Sequence, residues 1–251
     1  MRTSLVTALL LSVSLIPACA MEDQDELAPD ELADESDLDG EAGKGDTADA
    51  FTYFQVTPDK RACSLDSDCG GFFISRVNRA TTSCGFRGAT PQARCYVRSI
   101  LWSGTAMPAS VAKSYEDRLR AGESILIRGD ILPDPADRGS HLAAKEVWVP
   151  GSEVGEATGV FVIAKDNGIR CITAPCPQVL ETRLNANRAA SIDTIDFTAS
   201  GASDETIERA AEQLYTGAGV IVSGDRFYPY SGRGKGRRAG QFWTKAPVPL
   251  H

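Results

Sequence analysis

The ten residues AGESILIRGD at positions 121–130 return as TGAGVIVSGD at positions 216–225, and this match is the centre of an internal duplication. Around it, residues 97–148 align with residues 192–243 without a gap, at a constant offset of 95. Because self-similarity of this length marks a repeated structural unit, we predict two copies of one module. The identical aligned residues include Ile100 with Ile195, Leu119 with Leu214, Gly122 with Gly217, Gly129 with Gly224, Asp130 with Asp225, Gly139 with Gly234 and Trp148 with Trp243.

The two copies differ in length on their N-terminal side. Upstream of the gapless block the offset becomes 107, which matches Cys69 to Cys176 and Asn78 to Asn185. The first copy therefore holds 12 extra residues near positions 79–95, and these residues carry two cysteines that the second copy lacks.

The N-terminus is typical of an export signal. One cation, Arg2, precedes the apolar run 5–16, which is too short to span a bilayer and has the length of a signal-peptide core. We predict that residues 1–19 are a signal peptide, because their last four residues, IPAC, resemble a bacterial lipobox in which Cys19 is lipidated. The alternative is ordinary cleavage after Ala20, which would discard the cysteine and leave a secreted or periplasmic soluble protein.

Residues 20–50 are predicted to be an acidic, disordered tether. They hold 13 Asp and Glu against one Lys, so like charges repel one another and little apolar surface is available for burial. The chain's net charge of −8 divides into +1 from Arg2, −12 from the tether and +3 from residues 51–251. The folded part is therefore mildly basic although the whole chain is acidic.

Each copy has the same predicted order of elements, β-β-β-α-β-β. Alternating runs around a cysteine-containing turn predict a hairpin, and a third strand, a helix and two more strands follow. The helices are predicted over 108–121 and 203–216, with Ser203 as an N-cap and glycines as C-terminal caps. This order is that of an OB-fold, so we predict two mainly β, OB-like modules over 51–152 and 158–246. A two-layer α+β sandwich has the same order and is the alternative.

Apart from Cys19 the chain has six cysteines, and an even number in an exported protein predicts disulfides. The duplication favours one bond in the cysteine turn of each copy and a third bond inside the insertion. Zinc binding is disfavoured because no histidine lies near these cysteines. The predicted disulfides join Cys63 to Cys69, Cys84 to Cys95 and Cys171 to Cys176.

The glycine-rich loop 231–238, between the last two predicted strands of the second copy, is the first candidate binding site. It carries the cations Arg233, Lys235, Arg237 and Arg238 on a flexible backbone that could follow a phosphate or sulfate polymer. The structural alternative is a solvated hairpin loop whose charge offsets nearby acids.

The cysteine turn of the second copy, RCITAPCP over Arg170–Pro177, is the second candidate site. A loop closed by a short disulfide and stiffened by two prolines is pre-organised, and protease-inhibitor loops use this to lower the entropic cost of binding. The alternative is a staple in a small domain with a thin core. In the first copy's turn Asp66 and Asp68 suggest calcium, but two carboxylates offer too few oxygens, and no metal or cofactor is predicted.

The sequence contains no recognisable enzyme motif. Its two histidines, His141 and His251, lie in no nucleophile, metalloprotease or phosphate-loop pattern. Asp130 and Asp225 recur after the glycine of the fourth strand, and an uncharacterised hydrolase would use them. Recurrence in a duplicated module is more typical of a turn, so no catalytic residue is predicted.

Two cysteine motifs carry a family resemblance. The segment CGGFFISRVN at 69–78 and the segment RCITAPCP at 170–177 resemble lipoproteins of myxobacterial type that carry a cysteine-motif domain of unknown function. The resemblance spans about 51–245 and implies export and attachment to a Gram-negative envelope. Ala20 after Cys19 further implies sorting to the outer membrane. The resemblance transfers no catalytic or binding residue.

The sequence therefore predicts an exported, lipid-anchored envelope protein with a binding or structural role and no transmembrane helix. Its predicted partner is an anionic polymer or an envelope protein that meets the loop 231–238. The alternatives are a protease-inhibitor-like module that presents Arg170–Pro177 and an uncharacterised hydrolase.

Overall fold

A computed structural model describes residues 52–62, 69–85, 90–133 and 139–247 of the protein. Within these ranges the chain forms twelve strands, two α-helices and two short 3-10 helices. Several predicted features lie outside them, namely the leader 1–19 with Cys19, the tether 20–50, Cys63, Asp66, Asp68 and His251.

The elements fall into an N-terminal half and a C-terminal half with the same order. The N-terminal half comprises β1 (Thr52–Pro58), β2 (Phe72–Arg76), β3 (Cys95–Val97), β4 (Ser99–Leu101), a 3-10 helix (Trp102–Thr105), α1 (Ala109–Ala121), β5 (Leu126–Pro133) and β6 (Ser140–Pro150). The C-terminal half comprises β7 (Val160–Asp166), β8 (Val179–Arg183), β9 (Ala189–Ile192), β10 (Thr194–Asp196), a 3-10 helix (Thr198–Ser200), α2 (Asp204–Tyr215), β11 (Val220–Phe227) and β12 (Gly236–Lys245).

All twelve strands belong to one sheet, so the prediction of a mainly β protein is confirmed. The strand order is β3-β2-β1-β5-β6-β12-β11-β7-β8-β9, and neighbours along this path are antiparallel. Off the path, β4 pairs in parallel with β6, and β10 pairs in parallel with β12. The pairing of β6 with β12, centred on Val149 and Thr244, makes the sheet continuous across the two halves.

The single third strand predicted for each copy is divided into two short strands in the structure, β3 and β4 in one half and β9 and β10 in the other. Arg98 separates β3 from β4, and its backbone N–H donates to Ser140 O at 2.9 Å. Asp193 separates β9 from β10, and its N–H donates to Lys235 O at 2.7 Å. This break lets one segment pair first with the second strand of its half and then with the last strand.

The strand that follows the helix in each half, which is the fourth strand of the predicted order, is longer than predicted. It is β5 in the N-terminal half and β11 in the C-terminal half. The sequence pattern places its end at Gly129 or Gly224, but β5 continues to Pro133 and β11 continues to Phe227. The ladder shifts register at both glycines, and a Cβ at Gly224 would collide with the carbonyl oxygen of Arg238. Each glycine therefore marks a β-bulge inside a strand, where only a residue without a side chain fits, and not a turn.

Both helices lie within one residue of their predicted limits. The Ser203 hydroxyl caps α2 by accepting the Thr206 N–H at 3.4 Å, as predicted. Gly122, at φ 97°, caps α1, because glycine adopts the left-handed conformation without a steric penalty. The second helix ends differently from the prediction, since Thr216 is its C-cap and Gly217, at φ 98°, follows.

Apolar side chains are buried in three clusters. One cluster lies inside each half, between its strands and its helix, and a third lies where the halves meet. The third cluster is built largely from equivalent residues of the two halves, so burying it holds the halves together. Its buried members are Val77 and Leu184, Leu126 and Ile221, Trp148 and Trp243, and Phe161.

Two equivalent asparagines also fasten one half to the other. The Asn78 side-chain amide donates to Phe161 O at 2.7 Å, and its oxygen accepts the Phe161 N–H at 2.9 Å. The Asn185 amide donates to Tyr53 O at 2.9 Å, and its oxygen accepts the Tyr53 N–H at 2.9 Å. Each asparagine thus satisfies the backbone at the start of the other half's first strand, where an unpaired donor or acceptor would be costly.

Candidate functional site

Two of the three predicted disulfides are confirmed. Cys84 is bonded to Cys95, and Cys171 is bonded to Cys176. Cys69 is disulfide-bonded as well. The pairing of Cys69 with Cys63 stays a prediction, because Cys63 lies outside the described residues.

The loop closed by Cys171 and Cys176 is braced at its base; we name residues 168–177 the disulfide loop. Asn167 makes three hydrogen bonds there. Its backbone N–H donates to Gln178 O at 3.0 Å, its side-chain amide donates to Pro177 O at 2.6 Å, and its side-chain oxygen accepts the Ile169 N–H at 2.9 Å. Both ends of the loop are therefore tied to the hairpin of β7 and β8, as the prediction of a pre-organised loop requires.

The tip of the disulfide loop is apolar and lies in solvent. Ile172 is fully exposed, with a relative accessibility of 105%, and Ile169 is 44% exposed. Beside them, both terminal nitrogens of Arg170 donate to the Asp166 carboxylate at 2.8 Å. These bonds hold the pKa of the Asp166 carboxyl below its usual value and keep the cation against the base of the loop.

The disulfide loop is compact. The Cα atoms of Cys171 and Cys176 are 5.6 Å apart, whereas six residues of extended strand span roughly 16 Å. The loop therefore does not have the extended shape of a peptide that lies along a binding cleft. Because this Cα separation is usual for any disulfide-closed loop, the protease-inhibitor hypothesis stays a hypothesis.

The four cations of the predicted basic loop occupy different environments. Arg233 is exposed and Lys235 is half-buried in the loop, whereas Arg237 and Arg238 belong to β12. Arg238 is exposed, with its Nε 3.4 Å from a carboxylate oxygen of Asp196. Arg237 is fully buried, so it does not reach a ligand at the surface. The loop presents three cations where four were predicted.

Arg237 is part of a buried ion triad with Glu181 and Arg226. The side chains of Arg237 and Glu181 are 0% exposed, and that of Arg226 is 6% exposed. Arg237 Nε donates to Glu181 Oε2 at 2.7 Å, Arg226 Nε donates to Glu181 Oε1 at 3.0 Å, and an Arg237 Nη donates to Gly224 O. Burial alone would raise the pKa of the Glu181 carboxyl, but the two guanidinium groups outweigh it and hold that pKa below its usual 4.5. Arg237 is therefore a core residue of the C-terminal half.

A signal for the ion triad is present in the sequence. At the offsets of 107 and 95, the equivalents of Glu181, Arg226 and Arg237 are apolar. They are Ile74, Ile131 and Leu142, which contribute to the core of the N-terminal half. Charged residues at positions that are apolar in the other copy therefore mark the triad in the sequence itself.

The disulfide loop and the basic loop meet at Gly234. A Cβ at this glycine would lie 3.0 Å from Pro175 Cβ, 2.9 Å from Tyr230 Cδ2 and 2.7 Å from Asp193 Oδ2. Asp193 also accepts the Lys235 N–H at 2.6 Å. The fold thus brings two candidate sites, more than fifty residues apart in the chain, into one exposed surface; we name residues 168–177 with 228–238 the loop surface.

A further cluster, which the sequence analysis missed, lies on the outer face of β2 and β3. Phe73 and Tyr96 are direct cross-strand partners, with ring centroids 5.7 Å apart in an edge-to-face arrangement. The Arg61 guanidinium carbon lies 5.0 Å from the Phe73 centroid and 5.3 Å from the Tyr96 centroid, and that of Arg94 lies 4.3 Å from the Phe73 centroid. We name these four residues the aromatic–arginine face.

The residues considered for a hydrolase are not assembled into a carboxylate pair. Asp130 lies on β5 and Asp225 on β11, and β6 and β12 separate these strands in the sheet. Burial raises the pKa of the Asp130 carboxyl, against the opposing effect of nearby cations. His141 Nδ1 lies 2.9 Å from Ser99 Oγ. Within the described ranges, His, Cys, Asp and Glu side chains form no group of three or more suited to a metal ion.

The comparisons with known proteins find one family. In the described part of the chain no helix has the length and apolar character needed to cross a membrane. No curated protein and no solved structure matches the sequence. A family model for a domain of unknown function, DUF6748, matches residues 52–246, from the start of β1 to the residue after β12. The expected resemblance to proteins with a domain of unknown function is confirmed to that extent, and the chain belongs to the DUF6748 family.

Proposed function

We propose that this protein is an exported, lipid-anchored envelope protein that binds an anionic polymer through its loop surface. The observation that carries the proposal is the junction at Gly234, where a braced loop and a glycine-rich cationic loop form one exposed surface. Export is supported by the leader-like N-terminus and by the disulfides Cys84–Cys95 and Cys171–Cys176, since disulfides persist in oxidising compartments. The lipobox at Cys19 supports the anchor and an outer-membrane or cell-surface location.

Charge and rigidity favour a polyanion as the ligand. Arg233 and Lys235 lie in the connection between β11 and β12, and Arg238 lies near the start of β12, so successive charges of a polymer can meet them. The braced disulfide loop beside them lowers the ordering cost on binding. The acidic tether at 20–50 repels the same polymer, so we propose that it acts as a spacer and not as part of the site.

We also infer that each half is an OB-like module, with the limits 51–152 and 158–246. In support, β1 pairs with both β2 and β5. In addition, β4 pairs in parallel with β6, so the third and the last strand of the predicted order lie beside each other. The C-terminal half repeats this pattern with β7, β10 and β12. A helix between the third and fourth strands of a five-stranded, partly open barrel is the OB arrangement.

Binding of dextran sulfate to the full-length, disulfide-intact protein tests the proposal. We expect saturable binding that weakens steeply between low and moderate salt, because cations that contact a polyanion release its counterions. Arg233→Gln with Lys235→Gln should weaken binding about tenfold or more. The matched control is Lys113→Gln with Arg209→Gln, which removes the same charge from helix side chains that are 74% and 65% exposed. Equal affinity of the two double variants would remove the loop surface from the proposal.

A second candidate function is supported by Ile172. A fully exposed isoleucine at the tip of a braced loop suits insertion into an apolar pocket of an envelope protein, or of a protease in the inhibitor hypothesis. A panel of serine and cysteine proteases tests the latter. An inhibitor should slow at least one of these proteases, and Ile172→Ser should abolish that effect. A panel in which no protease is slowed would reject the inhibitor hypothesis.

A further inference from the structure

We propose that the aromatic–arginine face of the N-terminal half is a binding site for an acidic oligosaccharide, a chain of sugar rings that carry carboxylates. The inference rests on the proposed function in one respect, which is that an exported protein meets glycans. It concerns a different surface from the loop surface, since the face lies on β2 and β3 and the loops belong to the C-terminal half.

Strand alternation holds the two rings outward. Phe72 and Ile74 are fully buried, so Phe73 between them faces the opposite side of the sheet, where it is half-buried. Tyr96 faces the same way from β3, and its hydroxyl accepts the Gly71 N–H at 3.3 Å. Both rings are therefore fixed by the strand pairing and the hydroxyl contact, so a ligand meets an ordered surface.

The cations of this face are positioned by the rings and by an acid. Arg61 Nε and Nη2 donate to the two Asp59 carboxylate oxygens at 2.9 and 2.8 Å, and these bonds lower the pKa of Asp59 to about 2. Arg61 is thereby held over both rings while 55% of its side chain stays exposed. Arg94 is exposed and lies over Phe73. A guanidinium stacked on a ring still directs N–H groups sideways, where a carboxylate can accept them.

Comparison of the two halves indicates that the fold does not need this cluster. The equivalents of Phe73 and Tyr96 are Leu180 and Ser191, and Arg94 lies in the segment 79–95 that holds the extra residues of the first copy. The C-terminal half nevertheless pairs Leu180 with Ser191 in the same register. Because the same sheet forms with or without aromatic and arginine side chains, their presence in one half favours a ligand over packing as their role.

The chemistry of the face fits an acidic sugar chain. The C–H face of a sugar ring is apolar and packs on an aromatic ring, and a carboxylate on the sugar pairs with a guanidinium beside it. A neutral sugar lacks the second contact. Single-stranded nucleic acid offers stacking and charge too, and the proposed export favours the glycan, so nucleic acid is an outcome of the test.

The probe is an oligogalacturonate of about ten sugars, titrated into the full-length, disulfide-intact protein at low salt. We expect saturable binding that is about tenfold weaker in Phe73→Leu, because one stacking contact on this scale is lost. We expect it to be about fivefold weaker in Arg94→Gln, because one exposed charge-assisted contact is lost. Phe73→Leu installs the residue found at the equivalent position 180, so we expect the fold to keep its stability. Lys113→Gln is the matched control for charge and should bind like the wild type.

Three outcomes would overturn the inference. The first is no binding of oligogalacturonate, and the second is binding that Phe73→Leu and Arg94→Gln leave unchanged. In the second case, a loss of binding in Arg233→Gln with Lys235→Gln would assign the glycan to the loop surface. The proposed function would then be kept, and the inference about the aromatic–arginine face would be rejected. The third is equal, equally variant-sensitive binding of an oligothymidylate or of a neutral maltodextrin of the same length. Thermal midpoints of all variants within a few degrees of the wild type confirm that binding changes do not come from unfolding.

Discussion

Replacing the whole ion triad by the apolar residues of the other half should leave the protein about as stable or more stable, whereas removing its acid alone should destabilise it strongly. The triple variant is Glu181→Ile, Arg226→Ile and Arg237→Leu, which installs the side chains found at the equivalent positions of the N-terminal half. The single variant is Glu181→Ile. The comparison separates the cost of burying charge from the need for those particular residues.

The magnitudes follow from the burial of the three groups. In the single variant two guanidinium groups, 0% and 6% exposed, lose the carboxylate that they share, so the free energy of unfolding should fall by about 3–5 kcal/mol. In the triple variant none of the three triad charges remains, and such replacements are neutral or stabilising by about 1–4 kcal/mol. The carbonyl of Gly224 loses its Arg237 donor, which costs about 1 kcal/mol. The expected net change therefore runs from about 1 kcal/mol of stability lost to about 3 kcal/mol gained.

Urea unfolding followed by tryptophan fluorescence measures these differences at pH 7 and pH 4. The pKa of Glu181 is held below 4.5 in the folded protein, so the stability that its ionisation contributes is present above pH 4.5 and is lost as the pH falls through the folded pKa. The triple variant has no such carboxylate and should lose less stability on acidification. A triple variant as unstable as Glu181→Ile at pH 7 would refute the reasoning, because the triad would then be required for more than mutual neutralisation.

Three further predictions concern the bulge, the contact between the halves and a half-buried acid. Gly224→Ala should lower the free energy of unfolding by more than about 2 kcal/mol, because the added Cβ meets the carbonyl oxygen of Arg238. The control is Gly168→Ala, at φ 79° with open space around it, which should cost about 1 kcal/mol in the same urea titration. Asn185→Ala should cost about 1–3 kcal/mol in thermal unfolding, since it removes the side-chain acceptor of the Tyr53 N–H, while the Tyr53 carbonyl keeps its bond from the Val77 N–H; a loss below about 0.5 kcal/mol would contradict this. Burial raises the folded pKa of Asp130 above 3.8, so its ionisation destabilises the fold as the pH rises through that pKa. Asp130→Asn should accordingly stabilise at pH 7 and have little effect below pH 3.8, and a pH-independent effect would show that charge is not the cause.

The elements of this fold were largely predictable because their signals are local. The hairpin runs, the Ser203 cap and the approximate limits of both helices each depend on residues a few positions apart. The bonds Cys84–Cys95 and Cys171–Cys176 were predicted from the comparison of the two copies. The errors arose where a strand interacts with something distant in the chain. The third strand divides because it changes partners, and the fourth continues past its glycine because a bulge preserves its pairing.

The candidate site was predictable in composition but not in arrangement. The basic loop and the disulfide loop were each visible as motifs, whereas their meeting at Gly234 depends on how β9, β10 and β12 lie together. The burial of Arg237 depends on strand register, which decides the face that a side chain occupies. The pairing of Phe73 with Tyr96 likewise requires the register of β2 against β3.

The sequence by itself determined that the chain is duplicated, that each copy is mainly β with one helix, and that cysteines close a short loop in the second copy. The duplication follows from self-similarity at an offset of 95 residues, and the other two properties follow from periodicity, capping and cysteine spacing, which are local signals. Only the tertiary structure decided that the two halves share one sheet and a third apolar cluster containing Trp148 and Trp243. It also decided which cations reach the surface. The physical reason is that burial and cross-strand pairing depend on distant residues meeting in one register, and a single sequence carries only weak signals of that register.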